Sequence, residues 1–291
     1  MTVIPASPEP AMAGGRVRAV SARFHRRDLG IIGATAFLVG LCAIALLAHF
    51  PNSPTTPDVS AIALPPSGAH PFGTDISGFD VFARTIDAAA RDVPIAVTGS
   101  LLSLLIGVPI GLFATTGRLG EACMRVIDAF SALPMIVLAI VAIQLLGGGA
   151  FDIVAAIAVV NVPRFCRLTR AEAISLRSAR FVEAAVAIGC SPVRIAFNHV
   201  FRNAYGVVLV QATLAGANAI GVIAALNFLG VGVHPPQPTW GSMIHDGSAM
   251  LIQGQWWAAV FPTVAIFLVV CAFTVIADGV EGRVERTGGK A

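Results

Sequence analysis

An all-α membrane protein with six transmembrane helices is the fold class this sequence predicts, and three observations predict it. Hydrophobic residues make up 56% of the 291 and charged residues only 12%, with a mean hydropathy of +0.82. The apolar residues gather in runs close to the roughly 20 residues that cross a hydrocarbon core of about 30 Å. The basic residues gather between those runs on alternate connections, as membrane topology requires.

The predicted spans are 29–50, 93–116, 126–146, 151–168, 204–231 and 256–277. The first follows a basic tail, 1–28. Its apolar run exceeds the 7–15 residues of a signal-peptide core and no small-x-small cleavage site closes it, so it is read as a retained helix. Residues 51–92 begin Pro-rich and turn-forming. From Gly78 to Asp92 they then place Phe79, Phe82, Ile86 and Ala90 at helical spacing. Asp80–Arg84 and Asp87–Arg91 fall on the other face as i,i+4 pairs, which predicts an amphipathic helix lying at the membrane surface. Pro163 and Arg164 interrupt the fourth run, so that span must continue into the interface or pack against neighbours. The core 93–282 ends in a short tail, 283–291.

Placing the amino terminus inside puts 17 of the 19 basic residues on that side, leaving only Arg84 and Arg91 outside. The net charge of +3 therefore reflects topology, and nucleic acid is not an expected partner. The five cysteines (Cys42, Cys123, Cys166, Cys190, Cys271) fall in spans or inner loops and form no Cys-x-x-Cys, so neither a disulfide nor a metal centre is expected. His234 and His245 lack neighbouring carboxylate pairs, and no metal is assigned to them.

Catalytic signatures are missing as well. The only lysine is Lys290, outside any P-loop pattern, and neither His-Glu-x-x-His nor Gly-x-Ser-x-Gly occurs. No Asp, Glu, Lys or Arg sits in the middle of a well-defined span, where ion-coupled carriers place their relays. Gln211, Asn218 and Asn227 are the polar candidates for a substrate path, or they bond between helices; Gln144 and Asn161 are similar. A chain without a relay or a nucleotide site is expected to borrow its energy from a docked partner. A secondary carrier or channel is the alternative from another class.

The loop 170–203 supplies a docking candidate. Residues 177–188 contain good helix formers, Gly189 can take the left-handed conformation that ends a helix, Ser191 can cap the next, and Pro192 suits its first position. Glu183-Ala184-Ala185, three residues, Gly189, and then His199-Val200-Phe201 make a pattern that resembles the "EAA" cytoplasmic loop of bacterial ABC import permeases. Two further blocks resemble the same family. His70-Pro71-Phe72-Gly73-Thr74-Asp75 with Gly78, Asp80-Val81, Arg84 and Ala90-Arg91 is similar to the "C"-type subunit of peptide and nickel importers. Leu226-Asn227-Phe228-Leu229-Gly230-Val231-Gly232-Val233, Pro235-Pro236 and Trp240-Gly241 form the third, in which Trp240 suits a membrane interface and Gly230 and Gly232 allow close approach.

The resemblance implies a type I importer fold, MetI-like, with an extra amino-terminal helix. It implies a non-catalytic permease subunit that forms half of a path for dipeptides or oligopeptides; nickel, glutathione and haem are rival cargoes. Implied partners are a second permease, one or two cytoplasmic ATPases that bind ATP and Mg, an external binding lipoprotein and the inner-membrane bilayer. This subunit is expected to hold no cofactor. Glu183, Ala184, Ala185, Gly189, Ser191 and Pro192 become the ATPase-coupling residues. Two departures stand out: Phe79 replaces a usual Arg, and Arg202 replaces the Pro of His-x-x-Pro-Asn, so the second loop helix can run unbroken into the fifth span.

Overall fold

The computed structural model describes residues 13–48, 50–115, 117–147, 149–176 and 179–288. The first twelve residues of the tail, Thr116, the loop-helix start at Arg177 and Lys290 lie outside the described residues. All regular elements among them are helical. In chain order they are α1 (Ala13–Leu47), α2 (Val81–Phe113), α3 (Gly117–Ser131), α4 (Met135–Leu146), α5 (Ala150–Ser175), α6 (Arg180–Ala187), α7 (Pro192–Arg194), a π-helical stretch Ile195–Val200, α8 (Phe201–Phe228), α9 (Trp240–Leu251) and α10 (Trp257–Gly288).

Among the described residues, four segments are long and apolar enough to cross a membrane: Asp28–Leu47, Val81–Phe113, Ile195–Phe228 and Trp257–Val284. The expected span 126–146 is not one straight helix. Pro134 cannot continue α3, and α3 and α4 meet at 97°, so together they make at most a fifth span. The expected fourth span lies in α5, which does not pass the same length-and-composition criterion. That helix carries Asp152, Arg164, Arg167, Arg170 and Glu172. The count of six is therefore not reached on length and composition alone.

The expected surface helix is also different. From Val81 it continues without a break into the second span. Asp80 is its N-cap rather than a partner of Arg84: Ala83 N–H donates to Asp80 Oδ1 at 2.8 Å, while Oδ2 meets Asn52 Nδ2 at 2.9 Å and His70 Nδ1 at 2.8 Å. Arg84 is buried beneath the Phe79 ring, 4.1 Å from its centroid. An arginine at 79 would bring like charge to that spot, whereas the phenyl face attracts the guanidinium. The Asp87–Arg91 pair does form.

α5 packs on α2 through a stripe of small residues. A Cβ at Gly99 would meet Ile157 at 2.7 Å, at Gly107 the Phe165 Cβ at 2.6 Å, and at Gly111 the Cys166 carbonyl at 2.6 Å. Apolar burial gives no preference for helix over lipid, so such close backbone approach is what holds membrane helices together. Segment 50–80 and α9 close one end of the bundle. Trp257 Nε1 donates to Thr74 O at 3.0 Å, and Phe72 stacks on Phe261 with centroids 3.9 Å apart. Trp240, expected at the membrane interface, is instead 1% exposed. Its backbone N–H donates to Asp92 Oδ2 at 3.0 Å and its indole N–H to Thr85 O at 2.8 Å, pinning α9 to α2.

Candidate functional site: the loop corner and the polar residues of α8

α6 ends in a Schellman turn. Cys190 N–H donates to Ala185 O at 3.0 Å and Gly189 N–H to Val186 O at 3.0 Å, with Gly189 at φ +78°. A Cβ at Gly189 would meet nothing within 4 Å, so its backbone conformation alone demands glycine. Ser191 then starts the next helix, taking the Arg194 N–H on its hydroxyl at 3.4 Å and the Ile195 N–H on its carbonyl at 3.0 Å. Pro192 is the first helical residue. As the Arg202 departure led us to expect, the chain stays helical from Pro192 to Phe228, passing through the wider π turns of Ile195–Val200.

The two faces of α6 differ. Val182 and Ala185, three residues apart, are both buried, and Val182 packs with Ala196 and Val200. Ala185 therefore supports the corner from within rather than facing a partner. Glu183 and Ala184 are exposed, and beside them the tip presents Val186, Ile188 and Val193 at 60%, 81% and 63% exposure. Three bare aliphatic side chains on a loop rich in arginine form a small apolar knob. Sequence reasoning missed them; the signal was their position immediately around Gly189. An open groove of about 760 Å³ runs alongside, lined by Phe181, Phe197, Asn198, His199, Arg202 and Asn203.

The three polar residues of α8 have different places. Asn227 is 3% exposed and structural: Nδ2 donates to Ile223 O at 2.9 Å and Oδ1 accepts the Val233 N–H at 2.7 Å, tying the following loop back onto the helix. Gly232 and Gly241 lie so close over this side chain that neither has room for a Cβ. Gln211 Nε2 is buried without a hydrogen-bond partner among the described residues. Asn218 lines a cavity of about 380 Å³ between the α3–α4 corner, α5 and α8. Asn161, Arg164 and Arg167 share that lining.

The chain is thus a helical bundle with an apolar-tipped loop corner and a polar cavity among its helices. Residues 103–286 match the family described as "Binding-protein-dependent transport system inner membrane component", and the chain belongs to that family. It is a multi-pass membrane permease subunit of the ABC importer class. It is 37% identical to the dipeptide transport system permease protein DppC of Alkalihalophilus pseudofirmus, over 98% of this chain and 95% of that one. It is 35% identical to the probable D,D-dipeptide transport system permease protein DdpC of Escherichia coli, over 84% and 82%. Identity to the glutathione transport system permease protein GsiD of Pectobacterium atrosepticum is 31% over 90% and 88%. Among solved structures, an inward-facing MetNI methionine ABC transporter chain superposes with a TM-score of 0.55 at 16% identity. That superposition covers 68% of this chain and 97% of that one, which establishes the MetI-like fold.

Proposed function

We propose that this chain forms half of the translocation path of a peptide importer and contributes no catalysis itself. An external binding protein delivers dipeptides or short peptides, and cytoplasmic ATPase subunits supply the energy. A second permease completes the path. ATP and Mg belong to the ATPases. In this reading the basic loop and both termini face the cytoplasm, and segment 50–80 faces outside.

The observation that carries the proposal is the corner at Gly189. A Schellman turn fixes the geometry, and Ile188, Val186 and Val193 leave apolar surface in water that only a partner's cleft would cover. Glu183 and Ala184 border that surface, Ala185 and Gly189 hold it in shape, and Ser191 with Pro192 launches the helix that carries its motion into α8. The peptide cargo is supported by the names of the dipeptide relatives, and the glutathione relative supports glutathione as a second cargo. Uptake by the reconstituted complex, comparing dipeptides, longer peptides, glutathione and nickel, tests the assignment. Dipeptide uptake that depends on ATP is expected; uptake of nickel alone would refute it.

A further inference from the structure

The geometry points to the cavity between the α3–α4 corner, α5 and α8 as a cargo-binding subsite on the path, with Arg164 as the group that receives a peptide's carboxylate. The inference rests on the peptide reading above and adds a site and a recognition chemistry to it.

In this cavity, hydrogen-bonding capacity is left unused. Asn161 is 1% exposed; its Nδ2 donates to Ile157 O at 3.1 Å, while its Oδ1 accepts nothing among the described residues. Neither Arg164 nor the Asn218 amide makes a hydrogen bond or ion pair among them. Arg167 is already engaged, with Nη1 donating to Ser131 Oγ at 2.8 Å and lying 3.5 Å from Asp128 Oδ1. One guanidinium is therefore held in place and the other is free. The cavity's volume of about 380 Å³ lies within the roughly 300–1,000 Å³ of small-molecule sites.

Arg164 is exposed at the mouth of the cavity and Asn218 is half-buried, so both can be reached by a ligand entering it. A guanidinium without a partner takes a carboxylate through two parallel N–H···O bonds. Asn161 Oδ1 and the Asn218 amide then offer an acceptor and a donor–acceptor pair suited to a peptide bond's N–H and C=O. The lining contains two guanidiniums, of which Arg167 has Asp128 beside it and Arg164 has no carboxylate among the described residues, so its net charge favours an anion over a bare divalent cation. The same walls that suit a peptide disfavour a metal ion.

The test uses proteoliposomes holding the whole complex, with its binding protein and a labelled dipeptide. Uptake and ATP turnover are measured together for the wild type, Arg164→Gln, Arg164→Lys and Asn218→Leu. We expect Arg164→Gln to lower uptake by about tenfold, the size of one lost charged hydrogen-bonding pair. ATP hydrolysis stimulated by the loaded binding protein should persist, Arg164→Lys should restore most uptake, and Asn218→Leu should show a smaller loss. Wild-type uptake by Arg164→Gln would overturn the subsite while leaving the peptide reading intact. Loss of stimulated hydrolysis together with uptake, unrescued by lysine, would overturn it too, because a structural arginine behaves that way. A wild-type complex that imports nickel and no peptide would overturn the peptide reading itself.

Discussion

Ala184 and Ala185 are neighbours in sequence with opposite surroundings: one is exposed and the other is buried at 3%. An Asp at 185 would place a carboxylate inside the loop and damage the corner itself, so the docking face has to be probed at Ile188. Gly189→Val probes the turn. With φ at +78° and no neighbour to clash with, the substitution costs about 1–2 kcal/mol of backbone strain alone. Normal membrane insertion with uptake abolished is the expected outcome, read by membrane-fraction immunoblot and transport assay in parallel. The turn was legible in sequence because glycine, serine and proline each have a fixed use at helix ends. The inward face of α6 was not, since a three-residue spacing between Val182 and Ala185 names a face without saying what covers it. The partner of Asn227 was not legible for a related reason: Val233 comes within reach only once the chain folds back after Gly230.

Helices were easier to place than their junctions. Runs of apolar residues located α1, α2, α8 and α10, but hydropathy averages over the Pro134 bend and over the join at Val81, where Asp80 caps a helix that then continues into the span. The α2–α5 seam carries the clearest prediction at this level. Gly107→Leu would drive a side chain into the Phe165 Cβ and the Val162 carbonyl, at a cost of roughly 1–3 kcal/mol or more. Loss of monodisperse protein in detergent chromatography is expected, whereas Gly33→Leu, which has open space around it, should elute like the wild type. The end cap formed by segment 50–80 and α9 should respond to acid. Burial raises the carboxyls of both Asp75 and Asp246 above their ordinary value of 3.8. An acid with a raised folded pKa holds more protons folded than unfolded. Stability therefore rises as pH falls through the raised value, and levels off below the ordinary one. The melting temperature of the purified protein should rise as the pH is lowered toward 3.8. Asp75→Asn, which keeps the acceptor oxygen for Ser77 and Phe79 N–H, should flatten that rise.

For the molecule as a whole, the proposed orientation rests on the 17-to-2 partition of basic residues that an inside amino terminus gives. In a cysteine-free background, Val59→Cys should react with an impermeant maleimide on intact cells and Ile188→Cys only after permeabilisation; both sites are well exposed, at 79% and 81%. The fold class and the Gly189 corner were legible because bilayer crossing and helix punctuation are local demands on sequence. The cavity around Arg164 was not, since it is assembled from α5, α8 and the α3–α4 corner, and Arg164 read alone is only an interruption in a span. The central claim is that energy enters through the tip of the corner. An aspartate at Ile188 leaves the isolated chain undisturbed, because that side chain already sits in water, but in a partner's cleft it becomes an unpaired buried charge. That costs several kcal/mol and weakens association by about a thousandfold. The measurement is co-purification of the ATPase with Ile188→Asp, together with ATP hydrolysis stimulated by the loaded binding protein. The account predicts that the ATPase is lost, or stays bound but no longer responds to cargo, while the partner permease remains attached through the spans. Wild-type recovery of the ATPase with wild-type stimulation would contradict it.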